Sequence, residues 1–185
     1  MQTLVAVDPG KNCCGVSFWT RPGPNTTWTL QHAYAVEAYA LVGVGTDEFG
    51  FLEPMRWRSS AQAVFDTLPG EPTFLVLETM TVYVRAGGDT RDLLFLQAIC
   101  GALAGICSGS KVISMEPRTW KGQVPRDVFG ARVEQHLRDA GTFDKVVIVP
   151  RLKTQLNDAM HAVGLGRSAV DKRLPDLLFN TEAGS

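Results

Sequence analysis

Two stretches of this chain carry the same pattern, an unbroken apolar run closed by a carboxylate: Leu4-Val5-Ala6-Val7-Asp8 and Phe74-Leu75-Val76-Leu77-Glu78. Unbroken runs, as opposed to alternating ones, belong to strands covered on both faces, so the fold class expected is α/β. A carboxylate delivered to the end of such a strand is expensive to desolvate. It needs a cation or a set of donors as partner.

Around these runs the chain divides readily. Pro9-Gly10 breaks the first run, and a second begins at Gly15, which reads as an antiparallel return. Arg21 to Asn25 is a turn, and Thr26 to Val36 suits a third strand. The glycine-punctuated stretch from Glu37 to Pro54 reads as a long loop. A serine-capped helix over Ser59 to Leu68 stops at Pro69-Gly70. After Glu78, a polar and aromatic loop from Thr79 to Thr90 leads into the longest helical pattern, Arg91 to Cys107. That helix is apolar nearly all round and rich in small residues, as for burial under a sheet or partly in a subunit interface. Lys111 to Met115 is another strand, which makes this half of the sheet parallel through a right-handed crossover. A helix runs from Pro125 to Ala140 and ends at Gly141. Val146 to Val149 suits a short strand or a buried loop. Thr154 caps a last helix to Leu165, and a loosely held tail follows from Asp171.

That last helix supplies a third acid. Gln155, Asp158 and His161 recur at three-residue intervals and share one face, while Leu156, Ala159, Met160 and Val163 form the apolar side. Laid across the sheet, the helix would bring Asp158 to the strand ends that carry Asp8 and Glu78. Three converging carboxylates repel one another unless cations sit between them. Hard oxygen donors suit Mg2+ or Mn2+, and two such ions about 4 Å apart support phosphodiester hydrolysis.

The totals set outer limits. A chain of 185 residues suits one domain with one sizeable core. Lysine plus arginine number 18 against 19 acids, a net charge of −1, which argues against a uniformly basic DNA binder but permits a local basic face. Such a face is expected at Arg118, Lys121 and Arg126, interleaved with Trp120 and two prolines. Trp120 reads as a packing residue. No apolar run reaches bilayer length, and Asp8 interrupts any signal core, so the expected setting is the cytoplasm and its nucleoid. Cys13, Cys14, Cys100 and Cys107 match no zinc spacing and read as small apolar fillers in a reducing compartment.

From Leu4 to Leu165 the chain resembles the RuvC-type Holliday-junction resolvases of the RNase H-like (retroviral integrase) superfamily. The resemblance rests on Val7-Asp8-Pro9-Gly10, Leu77-Glu78, Pro117-Arg118-Thr119-Trp120-Lys121-Gly122 and Asn157-Asp158-Ala159. It implies an RNase H-like mixed five-stranded sheet, three antiparallel strands then two parallel, flanked by helices over residues 1–170, with 171–185 as a tail. It further implies a homodimeric endodeoxyribonuclease that uses Mg2+ or Mn2+, two ions per site, to place symmetric paired nicks in four-way DNA. The catalytic and metal-binding acids carry over to Asp8, Glu78 and Asp158. Where the family has Asp or His three residues before the last acid, this chain has Gln155; either its amide oxygen or His161 would fill that role. The family's wedge aromatic after the second acid falls at Thr81 here, leaving Tyr83 or Met80 to substitute. Arg85 and Arg91, bracketing Gly87-Gly88, would reach phosphates.

Other readings compete. The same fold could cut other branched DNA or RNA–DNA hybrids, or bind DNA without cutting it. An Asp-Pro-Gly turn also resembles the phosphate hairpin of actin-like kinases, but 185 residues leave no room for their second lobe.

Overall fold

The computed structural model describes residues 1–10, 12–37, 53–79, 90–146, 153–172 and 174. Five strands, β1 (Gln2–Asp8), β2 (Cys13–Arg21), β3 (Thr29–Glu37), β4 (Phe74–Glu78) and β5 (Lys111–Met115), form one sheet in the order β3-β2-β1-β4-β5. β1, β2 and β3 pair antiparallel, whereas β4 runs parallel to both β1 and β5. This is the mixed sheet expected. Helices α1 (Glu53–Asp66), α2 (Thr90–Ile106), α3 (Pro117–Trp120), α4 (Arg126–Asp139) and α5 (Lys153–Asp171) flank it. No helix among the described residues is long and apolar enough to cross a membrane.

The twofold alternation of a strand splits each apolar run between two cores. Leu4, Ala6, Phe74 and Val76 pack with Trp120, Leu137, Met160 and Val163 on one face. Val5, Val7, Leu75 and Leu77 pack with Ala61, Val64, Ile99 and Leu103 on the other. Continuous hydrophobicity is thus required by two covers rather than one. The same parity governs function, because Asp8 and Glu78 continue the even-numbered series toward α5.

Several boundaries differ from expectation. α1 starts at Glu53 instead of Ser59, so Pro54 falls in its first turn, where a missing N–H is harmless. The segment after Glu116 contains a one-turn helix with Pro117 at its start. α5 continues past Leu165 to Asp171. Its late glycines do not end it, because they are needed for close packing. A Cβ at Gly164 would meet the Phe129 ring at 2.4 Å, and one at Gly166 would meet Trp19 Nε1 at 2.5 Å. Val146 makes a single parallel bridge to Ala33; residues 147–150 lie outside the described residues. α2 is not buried all round: Ile99, Cys100 and Leu103 enter the core, whereas Leu94, Gly101 and Gly105 face outward.

α5 is seated on β2 at three evenly spaced points. The Asp158 carbonyl lies over Gly15, Ser17 Oγ donates to the Ala162 carbonyl at 2.8 Å, and Gly166 lies against Trp19. Four helical residues rise about 6 Å and two strand residues about 6.6 Å. A helix running along a strand therefore keeps step with it at this spacing. Small groups at all three points permit the approach.

Candidate metal and nuclease site

Asp8 and Glu78 close two adjacent parallel strands. Register pairs Val7 with Leu77, so the next residues of the two strands are these acids. Gly15 is the antiparallel partner of Asp8, and α5 sits on Gly15 through the Asp158 backbone. Strand parity, register and the Gly15 contact together bring Asp158 and His161 over the two strand ends. The backbone around Glu78 is itself anchored. Thr79 N–H donates to the Met115 carbonyl at 2.9 Å, and the Cys100 thiol donates to the Glu78 carbonyl at 3.4 Å.

All three acids are buried, with Asp8 6%, Glu78 2% and Asp158 8% exposed. Burial, followed by a hydrogen bond that protonated Asp8 donates to Glu78 and by that residue's like charge, pushes Asp8 well above the usual carboxylate range, against the pull of Arg126 and Lys121. Asp158 is raised as well, chiefly by burial, and is held back by Arg126 and by a hydrogen bond from Cys13. Its carboxylate accepts a hydrogen bond from the Arg126 guanidinium. Lys121 Nζ stands 3.6 Å from Glu78 Oε1. Glu78 Oε2 is buried and has no hydrogen-bond partner.

His161 is buried between Trp120 and Phe129, edge-on to both rings. Its Nε2 lies 2.9 Å from the Arg126 carbonyl, which can only accept, so that nitrogen carries the proton. The unprotonated Nδ1 then faces Asp8 Oδ2 at 3.6 Å. Burial lowers the imidazole's pKa, so the ring is neutral beside an acid that holds its proton unusually well. Gln155, also buried, donates from Nε2 to Glu37 Oε1 at 2.8 Å, and its own Oε1 has no partner.

The site therefore consists of an adjacent pair, Asp8 and Glu78, with Asp158 beside it and drawn to Arg126. Among the described residues, no three His, Cys, Asp or Glu side chains are gathered as a finished metal site. The donor chemistry nonetheless fits a hard divalent cation: every acid offers oxygen, one Glu78 oxygen is buried and unpaired, and burial, reinforced by neighbouring Glu78, keeps Asp8 high. Lys121 and Arg126 partly offset the negative charge.

Of the residues expected to meet DNA, Arg118 is exposed on α3, while Lys121 and Arg126 sit at the rim with their head groups turned to the acids. Arg91 lies in the first turn of α2, and its side chain lies outside the described residues, as do Met80, Thr81, Tyr83 and Arg85. Trp120 packs against Phe129 and His161, as expected of a core residue. Cys14, Cys100 and Cys107 are buried and free. Cys13 departs from a simple filler: it is half-buried beside Asp158, and its thiol is pushed up to about 12 by burial and then by that acid. A cavity of about 630 Å³ lies between α4, α5 and β3, lined by Trp28, Phe129 and Arg132 among others, but none of the three acids borders it.

Sequence reasoning missed Glu37, Cys13 and the seating role of Gly15. A glycine inside a strand pattern is a known sign of close backbone approach, so Gly15 carried a usable signal. Glu37 and Cys13 carried none, because each gains its place through cross-strand register.

A mixed 3-2-1-4-5 sheet with acids at the ends of β1 and β4 and a third on a covering helix defines the RNase H-like fold. Comparison with solved structures agrees. The chain is similar to RuvC of Thermus thermophilus in complex with Holliday junction substrate (TM-score 0.55, 15% identity, covering 94% of this chain and 96% of that one). It is similar to the fowlpox virus resolvase in complex with Holliday junction DNA (TM-score 0.60, 18% identity, 94% and 99% covered). It is also similar to the yeast mitochondrial Holliday junction resolvase Ydc2 (TM-score 0.57, 12% identity, 90% and 77% covered). No protein-family model and no curated protein matches the sequence. The structural neighbours are thus Holliday junction resolvases, and the likeness is one of fold.

Proposed function

We propose that the protein is a Mg2+- or Mn2+-dependent endonuclease that resolves four-way DNA junctions by paired, symmetric nicks. The observation that carries this reading is a pair of buried acids, Asp8 and Glu78, on adjacent strand ends under the helix that carries buried Asp158, with Lys121 against Glu78 and Arg126 against Asp158. The similarity of the whole chain to resolvases, two of them in complex with junction DNA, supports the substrate.

Asp8, Glu78 and Asp158 would hold the cations. Bound there, two divalent ions would supply an activated water and charge neutralisation at the leaving oxygen. The chain's own groups do the rest. Lys121 and Arg126 attract and orient the phosphate, and Arg118 extends the positive edge. Trp120 and Phe129 close the floor beside His161, excluding water from the Asp8 side. His161 Nδ1, 3.6 Å from Asp8 Oδ2, sets an uncharged acceptor on that side of the acid.

Pairing of nicks requires two sites. The outward face of α2 supports a homodimer: Leu94, Ala98, Gly101 and Gly105 follow one stripe, Leu94 is 62% exposed, and a Cβ at either glycine would meet nothing within 4 Å. Two such stripes can approach closely.

The test is cleavage of a labelled four-way junction with Mg2+ or Mn2+, beside a Y-fork and an RNA–DNA hybrid. Paired, ligatable nicks in the junction are expected, and Asp8→Asn, Glu78→Gln and Asp158→Asn should each abolish them while sparing binding. Cutting of the fork or hybrid in preference to the junction would redirect the substrate assignment. Binding without nicks under every metal condition would make the protein a silent relative.

A further inference from the structure

We infer that Glu37 is a positioning residue for the acid site, holding the Gln155 amide so that its Oε1 is presented as a neutral oxygen donor beside Asp158; this rests on the metal-dependent reading above.

The orientation follows from hydrogen-bond chemistry. A carboxylate can only accept, so the Gln155 atom 2.8 Å from Glu37 Oε1 must be the amide nitrogen. The amide oxygen is thereby turned away from Glu37. It is buried and has no partner, in a side chain only 7% exposed. Buried carbonyl oxygens rarely stay unpaired, and one that does asks for a donor or cation. The two basic groups nearest the acids already engage Glu78 and Asp158.

Position connects this amide to the acids. Gln155 precedes Asp158 by one turn on the same face of α5. Glu37, the last residue of β3, is the registered partner of Cys13, a half-buried residue beside Asp158. Glu37, Cys13, Gln155 and Asp158 therefore form one contiguous group drawn from three elements. Metal ligands are commonly held in orientation by a hydrogen bond of this kind from an outer residue. Glu37 is exposed and contributes nothing to either apolar core, so its purpose lies in this contact.

Mn2+ titrated into the full-length protein without DNA, followed by electron paramagnetic resonance, tests the assignment. Glu37→Leu and Gln155→Leu should each weaken uptake by about tenfold, and the double variant should be no weaker than either single one. Glu37→Gln, which can still accept from the amide through its own oxygen, should retain most of the affinity. Circular dichroism checks the fold, and Glu37→Ala, expected to weaken uptake as much as Glu37→Leu, serves if Glu37→Leu does not fold. Unchanged Mn2+ uptake in Glu37→Leu, or multiplicative losses in the double variant, would overturn the inference alone if wild-type uptake is still lost on Glu78→Gln. Absence of Mn2+ uptake by the wild-type protein would overturn the metal reading together with it.

Discussion

A Cβ added at Gly15 would stand 1.9 Å from the Asp158 carbonyl oxygen, and Gly15 is itself the registered neighbour of Asp8. One glycine thus sets the separation between the first and third acids. Gly15→Ala must lift the first turns of α5 or bend β2. Forcing an extra carbon into such a contact costs about 1–3 kcal/mol, roughly 2–12 °C in Tm for a chain of this size. Thermal melts should show that loss, with junction cutting falling further than junction binding. Gly23→Ala, where a Cβ meets nothing within 4 Å, is the control and should leave both unchanged.

Asp8 makes the metal-free fold pH-dependent. Its folded pKa is raised, so the native state binds this proton more tightly than the unfolded chain does. The contribution to stability is fully present below the ordinary aspartate range and is lost as pH rises through the folded value. Asp8→Asn should therefore stabilise the chelated protein at neutral pH, by on the order of 2 kcal/mol or roughly 4–8 °C. The gain should shrink as the melts are taken toward pH 4. A variant less stable than wild type at neutral pH in chelator would contradict the burial account.

Arg126 competes with any cation for Asp158. Arg126→Ala should tighten Mn2+ binding and weaken junction binding at the same time. If its guanidinium transfers to a phosphate when DNA arrives, the salt dependence of binding should fall by about one counterion. Titrations at several salt concentrations separate the two effects. A loss of Mn2+ affinity would show that Arg126 props Asp158 up instead of competing for it.

Gly101 and Gly105 bring two opposing expectations to α2. In a solvent-facing helix, replacing each glycine would stabilise the chain by about 0.5–1 kcal/mol. Against a second copy, a large side chain would hold the helices apart. Gly101→Leu with Gly105→Leu should shift the sedimentation profile toward monomer without lowering the monomer's Tm, and should uncouple the paired nicks. An unchanged profile would place the dimer contact elsewhere.

How much of this was legible without coordinates depends on distance along the chain. Asp8 and Glu78 were plain, because an apolar run and the acid that closes it are neighbours in sequence, and strand alternation then decides which way the acids point. Asp158 was legible through its helical spacing to Gln155 and His161. The start of α1 was not, since Pro54 is as compatible with a loop as with a first helical turn. Nor was the true length of α5, where Gly164 and Gly166 look like stops until Phe129 and Trp19 are seen against them.

The order of strands, the unbroken runs and the three acids were thus inscribed in local patterns, which follow from burial on two faces and from helix and strand periods. Tertiary structure alone decided the pairings among them. Lys121 turns to Glu78, Arg126 to Asp158, His161 to Asp8 and Gln155 to Glu37, across separations that no local period spans. Those pairings depend on strand register and on how closely α5 can settle onto β2. The absence of a single side chain at Gly15 sets that distance, and with it the spacing of the acids.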